Sequence, residues 1–268
     1  MPETAPGELL VAEDIGETAR VTELLTGPLR RARRVAQVVG PGFAGRPWAS
    51  RVTEALSPLD PTVLVHEGPT TPESVATLAR QLRAIRADAV VAIGGGTVID
   101  AAKAAAALPH AGPPDADQVR RACAAGPRYG DPALPTKVVA VPTTAGTGAE
   151  ATPFATLWDT TYQRKLSLTG PAVRPRAAVL DPDLLAGLGR SALATGILDA
   201  LCQGAEASWS IRSTPESIRW GTSAVTLAAQ VLDQVQDGIP DRTARLGLQR
   251  AAHHSGRAIA LVRVISAT

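Results

Sequence analysis

Short apolar runs alternate with amphipathic stretches along the first two thirds of the chain. The apolar runs have the length and the unbroken character of strands that are covered on both faces in a parallel sheet. They span residues 35–39, 62–66, 89–93, 137–141 and 177–180. Hydrophobic residues recur at helical spacing between these runs and predict helices over 47–56, 72–85 and 97–108, with Thr71 as a helix N-cap. This alternation of strands and helices predicts a parallel α/β architecture.

The pattern changes near residue 191, after which only helices are predicted. They cover about 192–209, 215–235 and 241–265. Weaker signals elsewhere predict a strand or turn at 9–11 and 20–25, a short helix at 117–124 inside a long loop, and a hairpin formed by 154–159 and 165–168. The chain is therefore expected to hold an α/β domain with a helical domain behind it.

Three consecutive glycines join the strand at 89–93 to the helix that follows. Gly94, Gly95 and Gly96 let the backbone turn sharply and approach another molecule without intervening side chains. The next helix points its free N–H groups and the positive end of its dipole at this corner, which suits a phosphate or pyrophosphate. The motif lacks the Gly-Lys-Ser/Thr ending of a Walker A loop and the third glycine of the usual Rossmann fingerprint. A simple tight turn between strand and helix stays open as the alternative.

A second loop rich in glycine and threonine follows the strand at 137–141. It reads Thr-Thr-Ala-Gly-Thr-Gly over residues 143–148. Ligands of parallel sheets sit at the carboxyl ends of the strands, so this loop and the glycine corner are expected at one edge. The loop offers hydroxyl groups and close backbone but no acid or base, which favours binding over chemistry. A polar connection without a ligand is the alternative.

Composition narrows the class of protein further. A length of 268 residues, 45% hydrophobic residues and a net charge of +2 are typical of a globular protein. Scattered arginines and an aromatic content of 3% argue against a nucleic-acid partner. Cys123 and Cys202 are too few for a disulfide framework, which favours a cytoplasmic location. The sequence shows neither a signal peptide nor a membrane-spanning run, so no membrane partner is expected.

Four motifs in order resemble the iron-containing (group III) alcohol dehydrogenases. They are the glycine turn and helix at 94–103, the loop at 142–150, Leu-Asp-Pro at 180–182 and Asp-Ala-Leu at 199–201. Residues 152–156, 207–210 and 213–217 are most similar to the phosphonoacetaldehyde reductase branch of that family. The resemblance implies a Rossmann-like dinucleotide-binding domain over 1–185 and a helical metal and substrate domain over 186–268.

The resemblance implies reduction of an aldehyde to an alcohol by hydride from NADH or NADPH, with Fe²⁺ or Zn²⁺ polarising the carbonyl. The implied partner is a small-molecule aldehyde or alcohol, and a homo-oligomer stays open. The implied cofactor-binding residues are Gly94, Gly95, Gly96, Thr97, Asp100, Thr143, Thr144, Thr147 and Lys165. The glycines would seat the pyrophosphate between Thr97 and Asp100, and Lys165 would lie near the nicotinamide ribose. Gly40 stands where many members carry an aspartate, which leaves room for NADPH as well as NADH.

The metal site departs from the family pattern. Family members hold the metal with Asp and His four residues apart on one helical face, and with two later histidines. This chain has Asp199, but Gln203 replaces the histidine, and an amide is a poorer ligand than imidazole. The later histidines are expected at or beyond residue 268, so the sequence predicts a C-terminally truncated helical domain with an incomplete metal site. His253 and His254 are the alternative donors.

Two other functions stay open on the sequence alone. The first is a catalytically silent remnant that binds a nucleotide or a partner. The second is a dehydroquinate synthase-like carbocycle synthase, which the threonine-glycine loop and the shortage of Lys, Arg and His residues argue against. Among single residues, Cys202 is expected in the core and His66 in a structural role, while Asp199 is expected to bond Thr195 or a backbone group.

Overall fold

The computed structural model describes residues 10–13, 20–26, 32–108, 114–126, 136–237 and 240–262. Within these ranges, six parallel strands form one sheet in the order β1-β8-β5-β4-β2-β3. Its strands are β1 (Leu10–Glu13), β2 (Val35–Val39), β3 (Thr62–Val65), β4 (Ala89–Gly94), β5 (Lys137–Pro142) and β8 (Ala177–Leu180). An antiparallel hairpin of β6 (Phe154–Asp159) and β7 (Arg164–Thr169) stands apart from this sheet. The predicted parallel sheet and hairpin are both confirmed.

Eight helices surround and follow the sheet in the described part of the chain. Those among the strands are α1 (Arg20–Thr26), α2 (Ala49–Leu56), α3 (Pro72–Ala84), α4 (Gly96–Ala107) and α5 (Ala116–Ala124). The C-terminal region holds only α6 (Arg190–Trp209), α7 (Pro215–Asp237) and α8 (Arg242–Val262). None of the described helices combines the length and the apolar character that a membrane span requires. The predicted α/β region followed by helices alone is confirmed.

Strand β4 shows why the apolar runs predicted strands so well. Val90 and Ala92 point into a core formed with α3 and α4, whereas Val91 and Ile93 point into a second core on the opposite face. All six residues of the strand are buried. Because helices cover both faces, every position must be apolar, and the sequence loses the alternation that a half-exposed strand would show.

Helix α3 begins at the predicted cap. The Ser74 N–H donates to Thr71 Oγ1 at 3.1 Å, and the Thr71 N–H donates to Ser74 Oγ at 2.9 Å. This reciprocal capping box satisfies two backbone donors at the helix start. Pro72 occupies the first helical position, where its missing N–H costs nothing.

Two local predictions were wrong. Residues 20–25 belong to a helix, because Val21 and Leu25 lie four positions apart on one face and are both completely buried. Cys202 is exposed, since the face of α6 that packs inward carries Ala200, Gly204 and Ala207 instead.

His66 is buried at the end of β3, where its backbone N–H donates to the Val39 carbonyl at 2.8 Å. Burial lowers the pKa of its imidazole. His110, which the sequence also assigns a structural role, and most of the predicted loop around α5 (residues 109–113 and 127–135) lie outside the described residues.

The three C-terminal helices pack against one another around a core of their own. Leu193 and Ile197 of α6 meet Val231 of α7 and Leu248 of α8 in this core. Helices α6 and α7 approach closely at Gly204, where a Cβ would lie 2.8 Å from a backbone carbonyl oxygen of α7. Small residues at such crossings let two helix backbones come together.

Candidate functional site

The two glycine-containing loops meet at the carboxyl edge of the sheet, as predicted. Gly94 of β4 lies in register with Pro142 of β5. The N–H of Thr143 donates to the Gly94 carbonyl at 3.0 Å, which ties the start of the second loop to the end of the first strand. The edge rule for parallel sheets therefore predicted correctly that these two loops lie together.

Each glycine of the corner has a distinct steric environment. A Cβ at Gly94 would lie 2.6 Å from Val98 Cβ, so this glycine lets the first turn of α4 pack on the strand end. Cβ atoms at Gly95 and Gly96 would each lie 3.0 Å from a threonine hydroxyl, that of Thr144 and Thr147 respectively. The side chains of Thr144 and Thr147 thus lie against the glycine corner.

The N-terminus of α4 is open to a ligand. Its N-cap is Gly95, whose backbone is extended at φ −76° and ψ −175° and which makes no side-chain capping bond. The first N–H groups of a helix need partners, and an anion supplies them well because the helix dipole is positive at this end. The corner therefore fits a phosphate or pyrophosphate group.

A cavity of about 510 Å³ adjoins the corner and reaches the helical region. Seven predicted site residues line it: Gly96, Thr97, Asp100, Thr147, Lys165, Asp199 and Gln203. Four others belong to the loops at the sheet edge but not to its lining: Gly94, Gly95, Thr143 and Thr144. The cavity brings the predicted cofactor and metal residues together in one place.

Several lining residues were absent from the sequence-based prediction. Thr70 follows β3, so the same edge rule would have found it. Trp158 and Thr156 come from the hairpin, and Glu206 and Ile259 come from the helices. Thr156 belongs to the motif at 152–156, but no local motif marks the other three positions, because only tertiary packing places them beside the sheet edge.

Asp100 forms part of the cavity wall with both carboxylate oxygens engaged. Oδ1 accepts from Lys103 Nζ at 3.0 Å, and Oδ2 accepts from the Thr156 N–H at 3.0 Å. Lys103 is completely buried and also donates to the carbonyls of Ala149 (2.8 Å) and Phe154 (2.5 Å). Burial lowers the pKa of Lys103, and the neighbouring carboxylate of Asp100 opposes that shift. The pair thus fastens α4 to the second loop and the hairpin.

Glycines on the helices accommodate the second loop. A Cβ at Gly146 would lie 2.9 Å from the Cα of Gly196 on α6, and one at Gly148 would lie 2.6 Å from the Cα of Gly256 on α8. Gly148 also has a φ of +60°, a conformation that glycine adopts without strain. The loop therefore rests with its backbone against two helices, which sets the position of Thr147 over the corner.

The close contact between the loop and α8 predicts that a methyl group added to α8 lowers stability at one glycine but not at another. Gly256→Ala places a methyl group against the backbone of Gly148 and is expected to lower the free energy of unfolding by about 1–3 kcal/mol through overpacking. Gly247→Ala on the same helix is the matched control, since its Cβ meets only Val231 Cγ2 at 3.4 Å. Urea denaturation measures both variants. Equal stability of the two would contradict the close packing of loop and helix.

The predicted metal ligands are bonded to one another. Gln203 Nε2 donates to Asp199 Oδ1 at 2.8 Å, and Gln203 Oε1 accepts from Ser255 Oγ at 3.1 Å. The amide thus turns its N–H₂ group, and not its oxygen, toward the carboxylate. Burial raises the pKa of Asp199. The expected bond from Thr195 is wrong, because Thr195 Oγ1 donates to the Ser191 carbonyl at 2.9 Å.

The alternative histidine donors are engaged elsewhere. His253 is buried with Nδ1 3.3 Å from Glu150 Oε1. His254 lies with Nδ1 2.9 Å from Ser223 Oγ, and its ring centroid is 4.7 Å from that of Trp220. Within the described residues, no group of three or more His, Cys, Asp or Glu side chains is arranged to hold a metal ion. The donors present in this part of the chain therefore do not fit Fe²⁺ or Zn²⁺.

The fold and the paired loops define an α/β protein with a Rossmann-like parallel sheet and a helical region behind it. The family model described as iron-containing alcohol dehydrogenase matches residues 16–182. The chain belongs to this family.

Two curated relatives share much of the chain. Phosphonoacetaldehyde reductase of Streptomyces viridochromogenes is 80% identical over 261 residues, which are 97% of this chain and 66% of that protein. Probable alcohol dehydrogenase EutG of Salmonella typhimurium is 33% identical over 237 residues, 87% of this chain and 52% of that protein. The chain thus spans less than two thirds of the length of these relatives.

Solved structures share the fold. A sulfoacetaldehyde reductase from Bifidobacterium kashiwanohense, in complex with NAD⁺, has a TM-score of 0.83 at 23% identity. The match covers 97% of this chain and 66% of that one. NADH-dependent butanol dehydrogenase A from Thermotoga maritima has a TM-score of 0.79 at 18% identity, with 97% and 64% covered. At these identities the likeness establishes the architecture alone.

Proposed function

We propose that this chain binds NADH or NADPH at the glycine corner and belongs to an enzyme that reduces an aldehyde. The main support for this proposal is the N-terminus of α4, which borders a cavity. Residues of the α/β region and of the helical region line that cavity. When bound, a reduced nicotinamide supplies the hydride for such a reduction.

Each part of the chain has a distinct role in this proposal. The α/β domain, residues 1–185, holds the dinucleotide, and the helical domain, residues 186–268, closes the substrate side. Gly95, Gly96 and Thr97 seat the pyrophosphate by backbone N–H groups. Thr144 and Thr147 flank it with hydroxyl groups, which keeps the phosphates against the sheet edge.

We propose further that the aldehyde is small and anionic, of the phosphonoacetaldehyde type. The 80% identity to the Streptomyces reductase supports this substrate class. Lys165 is the one cationic side chain among the described residues that line the cavity, and it is exposed on the hairpin. A lysine there attracts a phosphonate as well as the cofactor phosphates.

The proposal is tested by binding and by turnover. Titration of the purified chain with NADH, followed by NADH fluorescence, is expected to give a Kd on the order of micromolar to millimolar. Phosphonoacetaldehyde is then expected to cause oxidation of NADH, measured with and without added Fe²⁺ or Zn²⁺, and acetaldehyde serves as the uncharged control. Binding without turnover under any of these conditions would restrict the chain to nucleotide binding. Absence of binding would overturn the proposal.

A substitution at Gly40, which follows β2, is expected to change the preference between NADH and NADPH. A Cβ at Gly40 would meet only Val98 Cγ2 at 3.5 Å, an ordinary contact, so Gly40→Asp fits without displacing its neighbours. A carboxylate there accepts from the adenosine ribose hydroxyl and repels a 2′-phosphate. We expect the Kd of NADPH to rise about tenfold or more, equivalent to about 1.4 kcal/mol, while NADH binding is retained.

Gly40→Asn is the control for this prediction. The amide has a similar shape and hydrogen-bonding capacity but no charge, so NADPH binding should be weakened much less than by aspartate. The two dissociation constants are measured by NADH and NADPH fluorescence at one ionic strength, because repulsion between charges is screened by salt. An equal effect of both substitutions would show that Gly40 does not face the 2′ position.

A further inference from the structure

Trp158 presents a large aromatic surface to the cavity. Its side chain lines the cavity and is 52% exposed, whereas its strand neighbours Leu157 and Asp159 are buried on the other face of β6. An aromatic ring at the wall of a cavity offers a flat apolar surface against which another planar ring can stack. The aromatic surface is therefore available at the site without any rearrangement of the core.

The position of Trp158 is held on two sides. Its N–H donates to the Thr70 carbonyl at 2.8 Å, and Thr70 Oγ1 donates in turn to the Thr97 carbonyl at 2.9 Å. Across the hairpin, Trp158 is in register with Lys165. Two hydrogen bonds through Thr70 thus connect strand β6 to the first turn of α4, where the phosphates are proposed to bind.

The cavity does not extend to the end of β2. Gly40, at the end of β2 where the adenosine ribose is expected, is not part of its lining. The lining continues instead from Gly96 and Thr97 to Asp199 and Glu206 on α6. A dinucleotide with its pyrophosphate at the corner therefore places its other half, which carries the nicotinamide, in this cavity.

We infer that Trp158 stacks against the nicotinamide ring and so positions it within the cavity. This inference rests on the proposed binding of NAD(P)H. An indole and a nicotinamide are both flat, and offset stacking of two such rings stabilises the complex beyond the area that it buries. Lys165, on the neighbouring strand, lies beside the ring to meet the ribose and phosphate of the same half.

Paired ligands and variants test this role. Trp158→Ala in the full chain is expected to raise the Kd of NADH about tenfold, the size of loss that removal of a base-stacking aromatic causes. ADP-ribose lacks the nicotinamide and therefore has no stacking contact with Trp158 to lose. Its Kd is expected to change less than about twofold. Trp158→Phe keeps a flat ring and is expected to retain most of the affinity. Trp209→Ala, at an 81% exposed site outside the lining, is the control and should change neither Kd.

Fluorescence gives a second readout that a structural role would not change. Contact with the oxidised nicotinamide of NAD⁺ is expected to quench part of the tryptophan emission. This quenching should disappear in Trp158→Phe and persist in Trp209→Phe, although both variants retain three of the four tryptophans. Circular dichroism of each variant verifies that the fold is intact.

The outcomes separate this inference from the function on which it rests. Equal weakening of NADH and ADP-ribose by Trp158→Ala, or unchanged quenching in Trp158→Phe, would overturn the stacking role. Unchanged NADH affinity in Trp158→Ala would also overturn it while leaving cofactor binding established. Failure of the unsubstituted chain to bind NADH would instead overturn the proposed function itself.

Discussion

Gly95→Val is expected to raise the Kd of NADH by more than about 100-fold, equivalent to about 2.8 kcal/mol. A Cβ at this position already lies 3.0 Å from Thr144 Oγ1, so the branched side chain must occupy the space above the helix start. That space is where the phosphates would accept from the N–H groups of α4. The backbone at Gly95 is extended, which valine adopts readily, so the loss should appear in binding more than in folding.

The control for Gly95→Val is a second N-cap glycine. Gly189 precedes α6 with an extended backbone at φ −69° and ψ 157°, and a Cβ there would meet no heavy atom within 4 Å. Gly189→Val should therefore leave NADH binding unchanged. Fluorescence titration measures affinity, and thermal unfolding without cofactor checks that both variants fold. Normal NADH affinity in Gly95→Val would show that the glycine corner is not the phosphate seat.

Lys103→Met is expected to lower the free energy of unfolding by about 3–5 kcal/mol, the range measured when one partner of a buried ion pair is removed. The ammonium group is completely buried and donates to Asp100 and to the carbonyls of Ala149 and Phe154. Methionine fills a similar volume but donates nothing, so the carboxylate of Asp100 loses its counter-charge, and Thr152 Oγ1 can donate to one of the two carbonyls at a time. Urea denaturation, analysed by linear extrapolation, measures the loss.

A double-mutant cycle isolates the pair itself. Asp100→Asn removes the charge that Lys103→Met would leave unpaired, so the double variant should be more stable than the sum of the single losses predicts. Lys165→Met is the matched control, because Lys165 is exposed on the hairpin and its removal should change stability by less than about 0.5 kcal/mol. Additive losses in the double variant would contradict a direct bond between Asp100 and Lys103.

Patterns along the chain predicted the central elements because the sheet imposes them locally. Strands such as β4 and β5 are covered on both faces, so each appears as an unbroken apolar run. Helix α1 was missed because its seven residues contain too few turns for a helical period to stand out. The glycine and threonine loops were found because a strand, a glycine turn and a helix follow one another directly in sequence.

The hydrogen bonds of the site residues depended on partners that are distant in sequence. Asp100, predicted to flank a pyrophosphate, accepts from Lys103 and from the N–H of Thr156, 56 residues away. Gln203, which stands where the family carries a metal-ligating histidine, accepts from Ser255, 52 residues away. Hydrogen bonds of this kind leave no periodic signal, so sequence patterns are silent about them.

The α/β order of elements, the sheet edge at which the two loops meet and the family resemblance were all predictable from the amino-acid sequence. Each of these depends on periodicity or on a contiguous motif, which short-range sterics and burial dictate. That Trp158 lines the cavity, and that an amide N–H bonds the carboxylate of Asp199, follows from the packing of distant segments. These features depend on how the hairpin and three helices pack against the sheet edge, and that packing is a property of the whole fold.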